Sequence, residues 1–460
     1  MQDNNLQSSN KMGSMPMLKL IFNMSLPAMF SMFIMSLYNI VDSIFVSKLG
    51  EDALTAVSLA YPVQMLLVSF AVGTGVGINS LISRRLGEKR YDEAHSAAAH
   101  GIVLSMLTWV LFAVLGFFFS EAFIKMCSSP ETSSAVITDG VSYLSIVMIF
   151  SFGSFYEVTV EKTIQATGNM FYPMVFQLIG AIVNIILDPI FIFGLLGVPK
   201  MGVAGAAIAT VIGQIVAAVF AYFVTKFKKF DVDFSLKKFK MKSKTVADIY
   251  SVGIPAIIMQ SIASILITLL NMILIALSST AVAVLGVYFK LQSFVFMPVF
   301  GLTQGLMPIM GYNYGAKNKD RLVSAIKNGV VIAIIIMAIG MAIFMLVPDK
   351  LLMIFNASDN MLKLGVPALR IICINFIPAA VGIVSSTLFQ SLGKGVYSLI
   401  VSALRQLVII LPVAKFLSGF GVNATWYAFP IAEIIALCVS IGLFINIYRK
   451  KIKDLGIVRF

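Results

Sequence analysis

The chain has few of the residues from which metal sites and many enzyme active sites are built. Its 460 residues include only three cysteines and two histidines. Cys127, Cys373 and Cys438 lie far apart without a CxxC spacing, so the sequence predicts neither disulfides nor a metal site. His95 and His100 form no HExxH motif and are assigned to an inner loop and to the edge of an apolar segment. We therefore expect neither an enzyme nor a bound cofactor.

Charged residues are also scarce. They make up 12% of the chain, against about 25% in soluble domains. Hydrophobic residues make up 59%, and the mean hydropathy is +0.95. These values indicate a membrane protein that crosses the bilayer many times. A β-barrel is excluded because its strands would be about 10 residues long with strict alternation. The sequence also has no phosphate-binding loop for ATP and no TVGYG-like channel filter.

Apolar segments recur along the whole chain, and each is long enough to cross a bilayer, which takes about 20 helical residues. The predicted fold is an all-α polytopic membrane protein with twelve transmembrane helices. The spans are predicted near residues 17–47, 53–83, 97–120, 136–161, 170–196, 203–227, 246–278, 281–312, 322–347, 362–390, 395–418 and 424–448.

The distribution of lysine and arginine predicts the orientation, because these residues are retained on the cytoplasmic side. With the N-terminus inside, 25 of the 34 fall in inner segments, including Lys162 and eight lysines between residues 226 and 244. Both termini are therefore predicted to be cytoplasmic. The net charge of +13 is then explained by attraction to anionic lipid and not by nucleic acid. The polar N-terminal stretch shows no cleavable signal architecture.

The two halves of the chain are related to each other. An offset of 228 residues places similar residues on one another many times, and an offset of 225 relates QATGNMFY to QSLGKGVY. Six spans per half is an even number, so both halves insert in the same sense and form two lobes with a pseudo-two-fold axis along the membrane normal. The predicted regions are a cytoplasmic tail at 1–16, an N-lobe at 17–228, a basic linker at 229–245, a C-lobe at 246–450 and a basic tail at 451–460. Pairs at the 228-residue offset include Pro27 and Pro255, Gln64 and Gln292, Gly73 and Gly301, and Gly77 and Gly305.

Two carboxylates lie inside otherwise apolar spans. Asp42 is late in span 1 and Asp188 is about 18 residues into span 5, which places both in the outer half of the bilayer. Ionisable residues at such positions usually serve ion or substrate transport. Tyr38 and Asn184 lie one helical turn before the two acids and so share their faces.

Spans 4 and 6 run inward and bring further polar residues to the same depth. Tyr143 and Thr210 each lie about seven residues into their spans. Neutralisation of the two acids, by a proton or by a sodium ion held by Asp, Asn and Thr oxygens, would switch the site and favour outward release of a cationic compound. The predicted cation-coupling residues are Tyr38, Asp42, Tyr143, Asn184, Asp188 and Thr210, and the predicted sodium ligands are Asp42, Asn184, Asp188 and Thr210.

Four segments together resemble the multidrug and toxic compound extrusion (MATE) family, over about residues 17–450. They are YNIVDSIFVSKLG (38–50), RRLGEKRYDEA (84–94), VNIILDPIFIFG (183–194) and PIMGYNYGAKNKDR (308–321). The resemblance implies a two-lobed antiporter that exports bulky, often cationic and amphipathic compounds against an inward gradient of protons or sodium. It also implies that the six residues named above correspond to an N-lobe cation site of relatives.

Two prolines are predicted to shape the site. Pro189 removes a backbone donor and crowds the carbonyl of Ile185, which frees an acceptor beside Asp188. Pro27 either bends span 1 as a hinge, as the matching proline does in relatives, or forms a static kink that Pro255 repeats. Both alternatives remain open at this point.

The second half lacks counterparts of the two acids, since Asp42 corresponds to Leu270 and Asp188 to a position near Leu411. A second cation site is therefore not expected there. A polar cluster of Glu433, Arg405 and Lys290 is predicted instead, with Glu433 and Arg405 paired near the midplane and Lys290 shallower on the outer side. A structural ion pair is favoured over a substrate contact.

The resulting hypothesis is a secondary active multidrug exporter in the plasma membrane of a bacterium. It would act by alternating access, as a monomer, on small-molecule drugs or toxins in contact with membrane lipid and without nucleic acid. The alternatives are a lipid-linked oligosaccharide flippase of the same superfamily and, in a different class, a channel or receptor. The twelve predicted spans argue against the flippase, which often carries more.

Overall fold

The fold is an array of helices joined by short turns. The computed structural model describes residues 10–129, 131–237, 239–355 and 357–456, and these contain no β-strand. In chain order the α-helices are α1 Lys11–Ser14, α2 Met17–Ser47, α3 Glu51–Gly87, α4 Tyr91–Cys127, α5 Ser134–Ile149, α6 Phe152–Ala166, α7 Phe171–Phe193, α8 Gly202–Phe227, α9 Ser243–Ile275, α10 Ser279–Gly315, α11 Lys319–Leu346, α12 Pro348–Met353, α13 Asp359–Ile372, α14 Phe376–Ser391, α15 Gly395–Ala403, α16 Ile410–Ser418, α17 Val422–Thr425 and α18 Ala428–Ile447.

The predicted all-α membrane fold is confirmed. In the part of the chain that the structure describes, eleven helical segments are long and apolar enough to cross a membrane, and a twelfth results when the bent pair α5 and α6 is taken as one span. That pair bends by 46° at a break of a few residues. The predicted end of the fourth span at residue 161 is too early, because α6 continues to Ala166, and Lys162, assigned to an inner segment, is buried within this helix.

Three further spans contain local departures from α-helix, one of them a π-helical turn at Tyr448–Ile452 after α18. A 3₁₀ turn at Cys373–Asn375 connects α13 with α14, and a π-helical turn at Leu404–Ile409 connects α15 with α16. Such turns shift the side chains that follow them and are frequent at functional positions. Arg405 lies in the π-helical turn.

The chain forms two compact units that interleave along the sequence. We call the unit of residues 30–82 and 90–253 the N unit. The C unit comprises the described residues up to Met29, then Ser83–Lys89, then Ile254 onward. The unit boundaries in α2 and α9 therefore lie within two residues of Pro27 and Pro255. The lobe, linker and tail boundaries given above stay predictions, and their residues 1–9, 238 and 457–460, which include Arg459, lie outside the described residues.

Glycines allow helices to approach closely inside each unit. In the N unit, a β-carbon on Gly77 of α3 would overlap the carbonyl of Ile249 in α9. In the C unit, its repeat partner Gly305 of α10 faces Ser25 of α2, and Ser25 donates to the Leu302 carbonyl over 3.2 Å. Both repeated glycines therefore serve close helix packing.

The two histidines bind the segment that follows α8. Both lie within the first three turns of α4, so the assignment of His95 to a loop is wrong, whereas His100 lies near the start of the span as predicted. His95 Nδ1 accepts a hydrogen bond from the Asp233 backbone N–H over 2.9 Å. The fully buried His100 accepts one at Nε2 from the Lys242 backbone over 2.8 Å. The histidines thus fasten the basic segment to α4.

Candidate cation-coupling site

Helix α7 carries two of the predicted polar residues into the N unit. Its sequence is apolar except for single polar positions, and Asn184 and Asp188 lie one turn apart on its buried face. The helix ends at Gly194, whose φ of +74° is a left-handed conformation that glycine adopts without strain. Pro189 lies inside the continuous helix next to Asp188. The four-residue spacing of Asn184 and Asp188 therefore places both side chains on the same face of α7.

Neighbouring helices complete the cluster with the other predicted residues. The Asn184 amide donates to Thr210 Oγ1 of α8 over 3.2 Å and lies 3.4 Å from Asp188 Oδ1. The carboxyl group of Asp42, from α2, is within hydrogen-bonding reach of Asp188. Helices α2, α7 and α8 thus bring their polar side chains to one place.

Two tyrosines line the same cluster. The Tyr38 hydroxyl is within hydrogen-bonding reach of Thr210. Tyr143 of α5 is buried and close enough to Asp42 to interact electrostatically with it. All six side chains predicted from depth and spacing therefore lie together, although their part in ion coupling stays a prediction.

Burial leaves several oxygens of this cluster without donors. Asp188, Asn184 and Thr210 are at most 5% exposed, and Asp42 is half-buried. Three acceptor atoms are buried and accept no hydrogen bond, namely Asp42 Oδ1, Asn184 Oδ1 and Asp188 Oδ2. Among the described residues, no lysine or arginine pairs with either acid. The cluster thus presents negative and acceptor groups without a counter-charge.

Gln64 is a member of the cluster that sequence reasoning missed. It lies on α3, and its side chain is within hydrogen-bonding reach of the Tyr143 hydroxyl. In the sequence, the pairing of Gln64 with Gln292 was evidence only for the duplication of the two halves. The sequence feature that could have identified Gln64 as a site residue is its position as a polar residue inside the apolar span 53–83.

The C unit contains the predicted ion pair. Arg405 Nη1 lies 3.1 Å from Glu433 Oε1 and 3.4 Å from Oε2. Glu433 is buried on α18. Lys290 is exposed, and its ammonium lies over the ring of Phe355 at 5.9 Å. Arg405 and Glu433 thus form the predicted pair, whereas Lys290 contacts the ring of Phe355.

Within the described part of the chain, eleven or twelve apolar spans, together with the internal repeat and the buried acidic cluster, indicate a polytopic membrane transporter. The sequence profile of the MatE family matches the chain twice, at residues 27–190 and 255–416. The chain belongs to the MatE family, and the two matches begin at the repeat offset of 228. Members of this family are transporters, so the protein is a transporter and not an enzyme.

Two relatives and one solved structure illustrate the similarity. The multidrug export protein MepA of Staphylococcus haemolyticus is 27% identical over 431 residues, covering 93% of this chain and 92% of the relative. The FAD transporter of Shewanella oneidensis is 24% identical, covering 92% and 93%. A solved outward-facing multidrug resistance MATE family transporter of the MOP superfamily superimposes with a TM-score of 0.90 at 26% identity, covering 97% of this chain and 99% of the other.

Proposed function

We propose that this protein is a secondary active multidrug exporter that moves bulky, often cationic and amphipathic compounds out of the cell in exchange for inward protons or sodium ions. The family membership and the MepA relatives support export of small molecules. The ion-coupling site is the cluster around Asp42 and Asp188. The protein is placed in the plasma membrane of a bacterium with both termini in the cytoplasm, and it works as a monomer.

The single observation that carries this proposal is the set of buried, donorless oxygens on Asp42, Asn184 and Asp188. Buried polar atoms are nearly always hydrogen-bonded, because leaving one unpaired costs about 1–3 kcal/mol. Three acceptors in one cluster therefore need a donor or a cation. A proton or a sodium ion is the smallest species that satisfies them.

The contact between Asp42 and Asp188 gives the cluster a switch. Two carboxyl groups share a hydrogen bond only when one of them holds a proton, and two charged carboxylates at this separation repel each other. Entry of the coupling ion removes that repulsion and lowers the negative charge of the site. A cationic compound held by this charge is then released outward, which couples the two movements.

The prolines supply the bending element in this proposal. Pro27 lies inside α2, and the boundary between the units falls two residues later, after Met29. A proline removes one helical hydrogen bond, so the helix bends more easily there. We assign Pro27 as the hinge that responds to the state of Asp42, and Pro189 as the second such position beside Asp188.

Efflux from proteoliposomes tests the coupling. A fluorescent organic cation is loaded, and its exit is followed under an imposed pH gradient and then under a sodium gradient. Asp188→Asn and Asp42→Asn should abolish the acceleration by the effective gradient. Asp52→Asn, at an exposed position in the first turn of α3, is the matched control. Unchanged coupled efflux in both site variants would overturn the proposal.

The cargo class is tested in the same assay. One relative is named for FAD, which is anionic through its phosphates. The acidic N-unit cluster favours cations, because opposite charges attract across a buried site. We therefore expect gradient-driven efflux of the organic cation and none of FAD. Efflux of FAD alone would assign the protein to anion export.

A further inference from the structure

A second group of charged and amide side chains lies in the interior of the N unit, away from the cation-coupling site. It consists of four α6 residues and one α7 residue, and no prediction from the sequence included it. The α6 residues are between 2% and 9% exposed. We call this group the inner cluster, and its members are Glu157, Glu161, Lys162, Gln165 and Gln177.

The helix pattern explains why these residues meet. Glu157, Glu161 and Gln165 are spaced four residues apart, so they line one face of α6. The stem of Lys162 passes over Gly75 of α3, where a β-carbon would lie 2.6 Å from its Cγ atom. The glycine therefore leaves room for the lysine in the helix interface.

One carboxylate of the inner cluster is fully satisfied. Glu161 Oε1 is 2.8 Å from Lys162 Nζ and accepts from the Gln165 amide over 2.8 Å. Glu161 Oε2 accepts from the Gln177 amide over 2.8 Å. Lys162 also donates to the Gln165 carbonyl oxygen over 3.1 Å. The lysine charge is thereby balanced by Glu161.

The other carboxylate has no such partners. Glu157 is about nine-tenths buried, and its Oε1 atom accepts no hydrogen bond. The Oε1 atom of Gln177 is likewise buried and unpartnered. Among the described residues, the charged groups that act on Glu157 are Glu161 and Lys162 of its own helix. A hydrogen bond from the Gln177 amide of α7 to Glu161 joins α6 to a neighbouring helix. Glu157 forms no salt bridge, since the Lys162 ammonium is paired with Glu161, and the charged form of Glu157 is costly in a membrane interior.

Helix α7 connects the inner cluster with the cation-coupling site. Gln177, Asn184 and Asp188 are spaced seven and four residues apart, which keeps them on one face. Gln177 bonds Glu161, and Asn184 contacts Asp188. The rise from Gln177 to Asn184 is about 10 Å at 1.5 Å per residue. Glu157 is nine residues before Ala166, the last residue of α6, so it lies between the coupling site and the inner end of the span.

We propose that Glu157 is a second proton-binding residue of the N unit, which takes up and releases the coupled proton on the inner side of the Asp42–Asp188 site. This inference rests on the proposed function in its proton-coupled form. The proton adds to the unpartnered carboxylate oxygen of Glu157 and leaves it toward the inner end of α6. The Glu161–Lys162 salt bridge holds the surrounding network in place.

Infrared difference spectra of the full-length protein in liposomes test proton binding directly. Spectra are taken at two pH values and constant sodium, and the carboxylic C=O band that appears on acidification is assigned by substitution. Glu157→Gln should remove one component of that band, and Glu157→Asp should retain and shift it. Asp188→Asn should remove a different component. An unchanged band in the Glu157→Gln protein would overturn the inference.

Transport assays separate the two proposals. In Glu157→Gln we expect efflux driven by a pH gradient to fall at least about fivefold, the lower end of typical coupling between sites. Exchange of labelled for unlabelled cargo without a gradient should persist, because it needs no net proton transfer. Loss of both activities together with an intact infrared band would mean a structural role and contradict the proposal. If instead Asp188→Asn leaves the gradient effect unchanged, the proposed function fails independently of Glu157.

Discussion

The side-chain amide of Asn184 in α7 donates a hydrogen bond to the hydroxyl oxygen of Thr210 in α8 over 3.2 Å, inside the cation-coupling site. Both side chains are buried, at 2% and 5% exposure. This bond fixes the direction of the amide, so that its carbonyl oxygen is left as one of the donorless acceptors. The orientation of a single amide therefore sets the acceptor character of the site.

Thr210→Val should destabilise the protein by about 1–3 kcal/mol, because the buried Asn184 amide loses the nearer of its two acceptors and keeps only Asp188 Oδ1 at 3.4 Å. Thermal unfolding in detergent measures the change. Thr225→Val is the matched control, since that hydroxyl bonds the Tyr222 carbonyl within the same helix, near the end of α8. Equal shifts for the two variants would show that the Asn184 contact has no special weight.

The two aspartates should behave as one functional group. Each Asp→Asn change at positions 42 and 188 should lower gradient-driven efflux by at least about tenfold, the equivalent of 1.36 kcal/mol in the barrier. The double variant should be no worse than either single variant, because residues that act as a unit give non-additive effects. Initial efflux rates of the four proteins complete the cycle. If the fold-loss in efflux rate of the double variant equals the product of the two single fold-losses, the two acids act separately.

Gly77→Ala should destabilise the N unit by about 1–3 kcal/mol, since the added methyl group would overlap the Ile249 carbonyl and force the helices apart. Gly442→Ala in α18 is the control, because a β-carbon there meets nothing within 4 Å. It should be neutral or stabilising by up to about 1 kcal/mol through helix propensity. Thermal unfolding compares them, and a tolerated Gly77→Ala would exclude tight packing of α3 on α9.

His100→Leu should release the segment that follows α8. His100 Nδ1 lies 2.7 Å from the Ser96 carbonyl and donates to it, which leaves Nε2 free to accept from the Lys242 backbone. Leucine keeps the packing but cannot accept. Hydrogen exchange of the Lys242 amide should therefore accelerate, while amides near the middle of α4 keep their rates. Unchanged exchange at Lys242 would mean that the neighbouring contacts hold the segment without the histidine.

Removal of one partner of the Arg405–Glu433 pair should cost about 3–5 kcal/mol, because the remaining group would be buried without compensation. Arg405→Met therefore lowers the unfolding temperature. The double variant Arg405→Met with Glu433→Leu should recover part of the loss, since no unpaired charge remains. An equal loss in the single and double variants would indicate that packing, and not charge, is responsible.

Helix period and depth predicted that six polar residues lie together in one layer, and the structure brings these side chains together. Depth follows from position along a span, and helical faces follow from spacing, so residues of several spans could be placed in one layer. Gln64 was missed because its partner, Tyr143, belongs to another helix, and spacing along one helix does not identify such neighbours. The break between α5 and α6 could not be predicted from the sequence either, because residues 150 and 151 do not differ in character from those around them.

Lys162 was assigned to an inner segment from its charge, but its side chain is buried between helices. A lysine near the end of a span is normally placed in the aqueous loop, which is the basis of the orientation rule. Here Glu161 and two glutamines satisfy its charge inside the bundle. Its side chain is therefore buried, and the sequence contains no separate signal that distinguishes the two cases.

The sequence by itself determined that the protein is helical, crosses the membrane many times, is duplicated and resembles the MATE family. These properties depend on composition, on the period of apolar residues and on repetition, all of which are features of the order of residues along the chain. The tertiary structure decided which polar side chains meet, which of their atoms remain without donors, and that the unit boundaries in α2 and α9 fall next to Pro27 and Pro255. Contacts between helices depend on packing geometry and on glycine clearances of a few ångströms, and no pattern within a single span encodes them.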